Sequence, residues 1–403
     1  MDFSGGNNAL KGYIHRFHIF ALLFSVLLHM LLSSINTKAA SWDLSYTVIG
    51  LINFLGSLVY IFATLTLGHL GDRIGYKKML MYDMLYFSVF MIMGYYWSKI
   101  WHLFVFSMGM NLFFGTFFPS LEGLLSSKEE AQGINPTAIT TRFVISWSTG
   151  NVIGLAFGPY LIQNVPYVVF SFGIVLCIFS ALSIWNHIGK YGEKIPGPFS
   201  KKLFGKSLSY DINKSKLYRR AYRTTFVLGG LIYTAVITLF PKLISMHNLA
   251  LERTGFLVVG ANLGVVLTFI LLSINNIWIG KPKISFLFLS VFPITGIILF
   301  LQPSTFLFLI ISLLAGASYA VPYTFAIFYG LHTAKKEHGK QGGFHEAMVG
   351  VIFGFGPLLG GLFLDLWSNL KSLGILVFVL FAIVLIVQIS FLNKLSKDGN
   401  LVN

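Results

Sequence analysis

Gly68-His69-Leu70-Gly71-Asp72-Arg73-Ile74-Gly75-Tyr76-Lys77-Lys78 separates two long apolar runs, and its reading decides how the chain is folded. Glycines at 68, 71 and 75 remove side chains, so two helix ends can turn tightly and lie close to a neighbour. Arg73, Lys77 and Lys78 hold such a loop on the positive, cytoplasmic side of a membrane. Asp72 is a lone carboxylate placed to pair with a cation or to cap a helix. The stretch therefore predicts a short cytoplasmic hairpin between two membrane spans.

The chain on either side agrees. Of its 403 residues 55% are hydrophobic and 11% charged, and the mean hydropathy is +0.76, which leaves too few polar side chains to cover a soluble surface. A helix needs about 20 apolar residues to cross the hydrocarbon, and such runs recur from end to end. The expectation is an all-α integral membrane protein rather than a barrel, whose strands alternate. The first run, residues 17 to 35, follows Lys11 and Arg16 and ends near Ala39-Ala40-Ser41 in the manner of a secretory signal. It is too long for a signal core, and more spans follow at once. The sole cysteine, Cys177, excludes an internal disulfide and offers no metal spacing. A net charge of +15 would suggest nucleic acid in a soluble protein, but here the basic residues follow the loops, so no nucleic-acid partner is expected.

Apolar runs set against polar breaks place twelve spans, starting near residues 15, 47, 79, 102, 139, 166, 223, 254, 284, 304, 343 and 371. With both termini cytoplasmic, all 29 Lys and Arg except Lys38, Lys99, Lys242, Arg253 and Lys371 fall on the cytoplasmic side, a bias that fixes the orientation. The longest polar interruption, residues 188–222, carries Pro196-Gly197-Pro198, Lys201-Lys202 and Arg219-Arg220. It reads as a basic linker facing anionic headgroups, between six-helix halves at 1–187 and 223–403. A faint internal repeat supports two bundles related by an axis along the membrane normal. Span 5 reads Gly150-x3-Gly154-x3-Gly158-Pro159, and span 11 reads Gly350-x3-Gly354-x-Gly356-Pro357-x2-Gly360-Gly361. The loop after span 8 echoes the first hairpin only in Gly280-Lys281-Pro282-Lys283, with Ile277 where the first has Asp72.

The spacing G-x-L-x-D-R-x-G-x-K-K of residues 68–78 closely resembles the loop between helices 2 and 3 of major facilitator superfamily transporters, with Tyr76 where that family usually has a basic residue. The resemblance implies two pseudo-symmetric six-helix bundles that move a small solute by alternating access. Helices 1, 4, 7 and 10 would line the cavity, with 2, 5, 8 and 11 beside them. It also implies that Asp72 is a gate residue meeting the cytoplasmic start of helix 11. Parts of the glycine-proline motif of the family's antiporters are recognisable around Pro159 and Pro357. The first copy lacks the closing Gly-Gly, and helix 4 lacks the arginine typical of proton-coupled exporters.

Candidate chemistry follows from polar residues inside apolar runs, since these face protein or water rather than lipid. Span 4 aligns Asn111, Gly115, Pro119 and Glu122 on one face. Span 5 sets Trp147 and Asn151 beside its glycine stripe of Gly150, Gly154 and Gly158, which lets two backbones approach. Gly356, Gly360 and Gly361 do the same on span 11. Spans 7, 8 and 10 add Tyr233, Thr234, Asn262, Tyr319 and Tyr323, a mixed aromatic and hydrogen-bonding set that suits a small-molecule pocket. Each of these residues is equally compatible with a polar group satisfied locally between helices. His18 reads as interfacial, whereas His29 lies at mid-span and can titrate near neutral pH, so it is the mid-depth candidate for a substrate or proton role.

Asp83, Glu122, Glu346 and Arg142 fall with Asp72 at the cytoplasmic end and read as a gate network, Glu122 and Arg142 being the expected pair. If protons drive the cycle, Glu346 and Asp83 are the alternatives to His29 as relay. The midplane keeps only His29 and neutral polar groups, so the solute is expected to be neutral or weakly charged. Nothing supports an enzyme: there is no nucleotide-cradling loop, no zinc pair and no glycine-flanked serine. Neither cofactor nor metal is expected. The reading is a monomeric secondary transporter of the plasma membrane, with a coupling proton or other ion as a further partner. The alternatives are an exporter of amphipathic compounds by proton antiport, or a transporter-like sensor that binds without translocating.

Overall fold

A computed structural model describes residues 4–67, 70–132, 136–191, 212–245, 250–274, 291–301, 305–332, 338–367 and 370–397, with 278, 281 and 289. Every regular element among them is helical. Twelve longer helices follow in order: α1 Ser4–Ser41, α2 Tyr46–Phe62, α3 Tyr76–Phe90, α4 Ile100–Gln132, α5 Pro136–Asn164 and α6 Pro166–Tyr191. The second series is α7 Ile212–Ser245, α8 Thr254–Ile274, α9 Val291–Phe300, α10 Thr305–His332, α11 His338–Trp367 and α12 Leu370–Lys397. Nine of the described helices are long and apolar enough to cross a membrane. Of the other three, α3 is continued by a 3-10 turn, Met91–Tyr96, α5 carries more polar residues, and α9 is a ten-residue apolar helix. The expected start of the ninth span near 284, and most of the loop before it, lie outside the described residues. So does the central part of the expected linker, although α7 is already helical from Ile212.

The hairpin is more structured than a bare turn. At its entry α2 widens into a π-helical turn, Ala63–Leu67, followed by a five-residue helix, Leu70–Ile74. The chain then reverses at Gly75, whose φ of 97° is in the region that excludes side chains. Tyr76, at the position where a basic residue was expected by resemblance, has its ring over Gly71 and against Gly123 of α4; a Cβ at Gly71 would come within 2.6 Å of that ring and one at Gly123 within 2.5 Å. The hairpin is thus pinned to α4 by an aromatic ring. Lys77 is buried, while Arg73 and Lys78 are exposed. Gly68 and the side chain of Asp72 lie outside what the structure describes.

Without a hydrophobic gradient between helices in lipid, close packing must hold the bundle together, and small residues permit it. The glycines of α5 face α1: a Cβ at Gly150 would strike the Leu22 carbonyl, at Gly154 that of Val26, and at Gly158 the Ser33 hydroxyl. The constant offset makes the two helices parallel. The first six helices meet the last six along two seams, α2 against α11 and α5 against α8. In the first seam Gly50 lies on the Pro357 carbonyl and Gly361 on that of Tyr46; in the second Gly255 lies on the carbonyls of Leu155 and Ala156. Gly356 and Gly360 instead face α7. His18, expected at the interface, is buried within the bundle, because α1 begins well before it and extends the packed region.

Candidate functional site

The polar residues inside the bundle separate into three levels along its axis. At mid-depth, Tyr233 of α7 donates to Asn262 Oδ1 of α8 at 2.8 Å and stacks on Tyr319 of α10 with ring centroids 4.7 Å apart. Phe353 of α11 stands edge-on to both Tyr233 and His29 of α1. His29 and Tyr233 thus share one phenyl ring, with Asn262 joined to them through the Tyr233 hydroxyl.

One level nearer the hairpin, Trp147 of α5 packs against Tyr323 and Phe269 at 5.8 and 6.1 Å. Tyr323 in turn meets Phe226 and His345, and His345 stacks on Phe226 at 5.0 Å. This layer brings together rings from α5, α7, α8, α10 and α11.

Beyond it the Tyr60 hydroxyl of α2 donates to Glu346 of α11, a hydrogen bond across the seam between the two series of helices. Glu122 of α4 is the electrostatic neighbour of Glu346. The expected Glu122–Arg142 pair is not formed: the Arg142 side chain is exposed, and neither residue has an ion-pair partner among the described residues. Arg142 lies in the early turns of α5, where its side chain is exposed. Asp83 is also apart from this pair. It is buried in the α3–α4 contact, where the Thr116 hydroxyl donates to it at 2.9 Å.

Two cavity candidates turn out to be packing groups. Asn111 donates to the Ser107 carbonyl of its own helix at 2.8 Å and abuts Gly56 in the α2–α4 contact. The Thr234 hydroxyl reaches the Ile352 carbonyl of α11 at 2.8 Å and stitches α7 to α11. Asn151 is buried on α5, one turn from Trp147.

At the end opposite the hairpin the structure adds contacts the sequence reading missed. Asp365, in the last turn of α11, accepts the backbone N–H groups of Tyr46 at 3.1 Å and Thr47 at 2.7 Å, and so caps α2 from the other series of helices. Lys242 at the end of α7 reaches Asp43 at 3.0 Å and the Leu44 carbonyl at 2.5 Å. Asp43 is 95% exposed, so water and salt weaken that ion pair, and the Asp365 cap is the stronger link. The available signal was an acid after Gly360-Gly361 in an otherwise apolar run. Nothing marked Tyr60 or His345 among 18 tyrosines and ten histidines.

Long helices packed along two seams around a mid-depth polar and aromatic cluster define a class of multi-pass membrane protein that handles small molecules. A family model described as Major Facilitator Superfamily matches residues 18–333. The chain belongs to that superfamily: it is a membrane transporter, not an enzyme. No curated protein sequence matches it. Among solved structures it is similar to a bacterial homologue of the human lysosomal transporter Spinster in an inward-facing, occupied conformation, with a TM-score of 0.69 and 13% identity over 95% of this chain and 98% of the other. The nucleoside transporter NupG is another such structure, with a TM-score of 0.63 and 10% identity over 93% of this chain and 98% of its own.

Proposed function

We propose that the protein is a secondary active transporter that carries a small, uncharged or weakly charged solute by alternating access of two six-helix bundles. The bundles are residues 1–187 and 223–403, joined by the basic linker 188–222. The carrying observation is the mid-depth cluster of His29, Tyr233, Asn262 and Tyr319, which is buried and hydrogen-bonding and holds no acidic or basic side chain other than the imidazole. A multiply charged solute would leave its charge unpaired there, at a cost of several kcal/mol on the order of a buried ion. The glycine stripes that resemble an antiporter motif serve as packing against α1, α2 and α7, so they do not favour an exporter. By the positive-inside bias the hairpin end is cytoplasmic, as are both termini, and a plasma-membrane location suits this reading. Flux of a candidate solute into proteoliposomes, with the membrane potential clamped, is the test. Saturable uptake is expected. Binding without flux would favour a sensor instead.

Coupling is assigned to the hairpin end. A carboxylate enclosed in a membrane bundle beside a second acid needs a cation for charge balance, and Arg142 does not supply one to Glu122 or Glu346. A carried proton would, with Tyr60 as the gate partner that Glu346 releases or regains. Glu346→Gln is therefore expected to exchange solute across the membrane yet fail to concentrate it when a proton gradient is imposed. Equal accumulation by Glu346→Gln and wild type would remove Glu346 from coupling.

A further inference from the structure

Three rigid polar groups at one level of the bundle are buried with an atom unsatisfied. His29 Nε2, Asn151 Oδ1 and Asn262 Nδ2 have no hydrogen-bond partner, in residues 3%, 1% and 0% exposed. An unmet buried group costs about 1–3 kcal/mol. A hydroxyl can rotate toward a carbonyl to escape that cost, whereas the His29 imidazole and the Asn262 carboxamide, each held by its other end, cannot. Other rigid unsatisfied groups lie at other levels: Trp97 Nε1 and Gln163 Nε2 near helix ends, Asn36 Nδ2 seven residues beyond His29 on α1, and the His345 nitrogens eight residues before Phe353 on α11.

The helix registers set the three at one level. Gly154 lies on His29 and Gly150 on Ser25 in the parallel α1–α5 contact, which puts His29 within a turn of Asn151 along the axis. In the antiparallel α5–α8 contact, Trp147 meets Phe269 and Phe157 meets Phe256, which sets Asn151 level with Asn262. At about 1.5 Å of rise per residue, all three fall within roughly one helical turn. Phe353 is the ring shared by His29 and by Tyr233, the partner of Asn262.

Their polarity can be read from what each already does. His29 Nδ1 is 3.3 Å from the Ser25 carbonyl, which can only accept, so Nδ1 carries the proton and Nε2 of the neutral ring presents a lone pair. Asn262 uses Oδ1 for the Tyr233 hydroxyl and offers Nδ2 as a donor. Asn151 makes no hydrogen bond through its other end, so its carboxamide can turn either its oxygen or its nitrogen to a ligand. The set is one acceptor, one donor and one carboxamide that serves as either, beside the stacked rings of Tyr233 and Tyr319.

We propose that His29, Asn151 and Asn262 form the recognition centre of the transporter, and that it takes a flat, uncharged ring bearing N–H donors next to a carbonyl: a cyclic or aromatic amide. The complement of the His29 acceptor and the Asn262 donor is an N–H donor beside a carbonyl acceptor, which such rings carry in one plane, with Asn151 free to meet either kind of group. That plane also suits stacking on tyrosine. This inference rests on the transport reading above, but its test separates the two.

The full-length protein in detergent is titrated with tritiated uracil and tritiated nicotinamide, with glucose, benzoate and benzamidinium as competitors. Saturable binding of at least one of the two rings is expected, with no displacement by a tenfold excess of the competitors. Asn151→Leu, Asn262→Leu and His29→Phe are each expected to weaken binding about fivefold, the scale of one lost hydrogen bond. His29→Gln, which keeps an acceptor, should restore most of the loss and shows that the fold survives at that position. No saturable binding of either ring, effective displacement by a competitor, or binding indifferent to all three variants would overturn the proposal. Uptake of the same tracer into proteoliposomes reports separately: binding without uptake overturns transport and leaves the site standing. Uptake unchanged in all three variants overturns the site and leaves transport standing.

Discussion

Gly154→Leu is expected to lower transport by roughly a hundredfold or more, with the chain still inserted in the membrane. A Cβ at residue 154 already overlaps the Val26 carbonyl and would lie 2.7 Å from the Met30 nitrogen, so the new atoms meet backbone, which cannot rotate away. Overpacking typically costs about 1–3 kcal/mol, and occasionally more, even where side chains can adjust. Here α1 must move off α5, and it carries His29 away from Asn151 and Phe353. Gly150→Leu should act alike, since its Cβ would overlap the Leu22 carbonyl. Expression and protease protection check insertion, and tracer flux checks function. Full activity in both variants would mean that the stripe does not contact α1.

Asp365→Ala is expected to shift the conformational balance about tenfold toward opening of the end opposite the hairpin. Its carboxylate holds two N–H groups at the start of α2, and loss of such a cap costs about 0.5–2 kcal/mol. Because donor and acceptor belong to the two halves, this cost falls only on the state closed at that end. The readout is the labelling rate by an impermeant maleimide of a cysteine replacing Ile49, which is 1% exposed in the packed seam. Labelling should quicken about tenfold in Asp365→Ala and less in Asp365→Asn, which keeps an acceptor. Equal rates in all three proteins would end the role of Asp365.

Most of the fold was readable because membrane helices announce themselves by length and apolarity. The expected starts near 47, 166, 254, 304 and 371 fall within a residue or two of α2, α6, α8, α10 and α12. Helix ends that extend beyond the hydrocarbon were less legible: α1 and α7 begin eleven residues before the expected points, since polar residues continue a helix without any hydropathy signal. Tyr233, Asn262 and Tyr319 could be singled out as candidates because polar groups in apolar runs are rare and visible. Direction around a helix was not visible. Asn111 and Asn151 look alike in sequence, yet one bonds within its own helix in a tight contact and the other keeps an unmet oxygen at mid-depth. The Arg142 pairing failed for the same reason, as charge and proximity in depth do not fix azimuth.

The seams between the two halves bring consequences of a different kind. Gly50, Gly255 and Gly361 set backbone directly on backbone at points along the seams, where an added side chain would have no room to pass. The polar links, Asp365 to α2 and Tyr60 to Glu346, sit at opposite ends of one of those seams. Friction and bias are therefore built from separate parts. Bulk added along the seam should raise the barrier between states and slow both directions together, leaving their ratio intact. Changes to the end links should tilt that ratio at little cost in speed. Turnover rate and resting orientation become two independently adjustable properties of one helix pair.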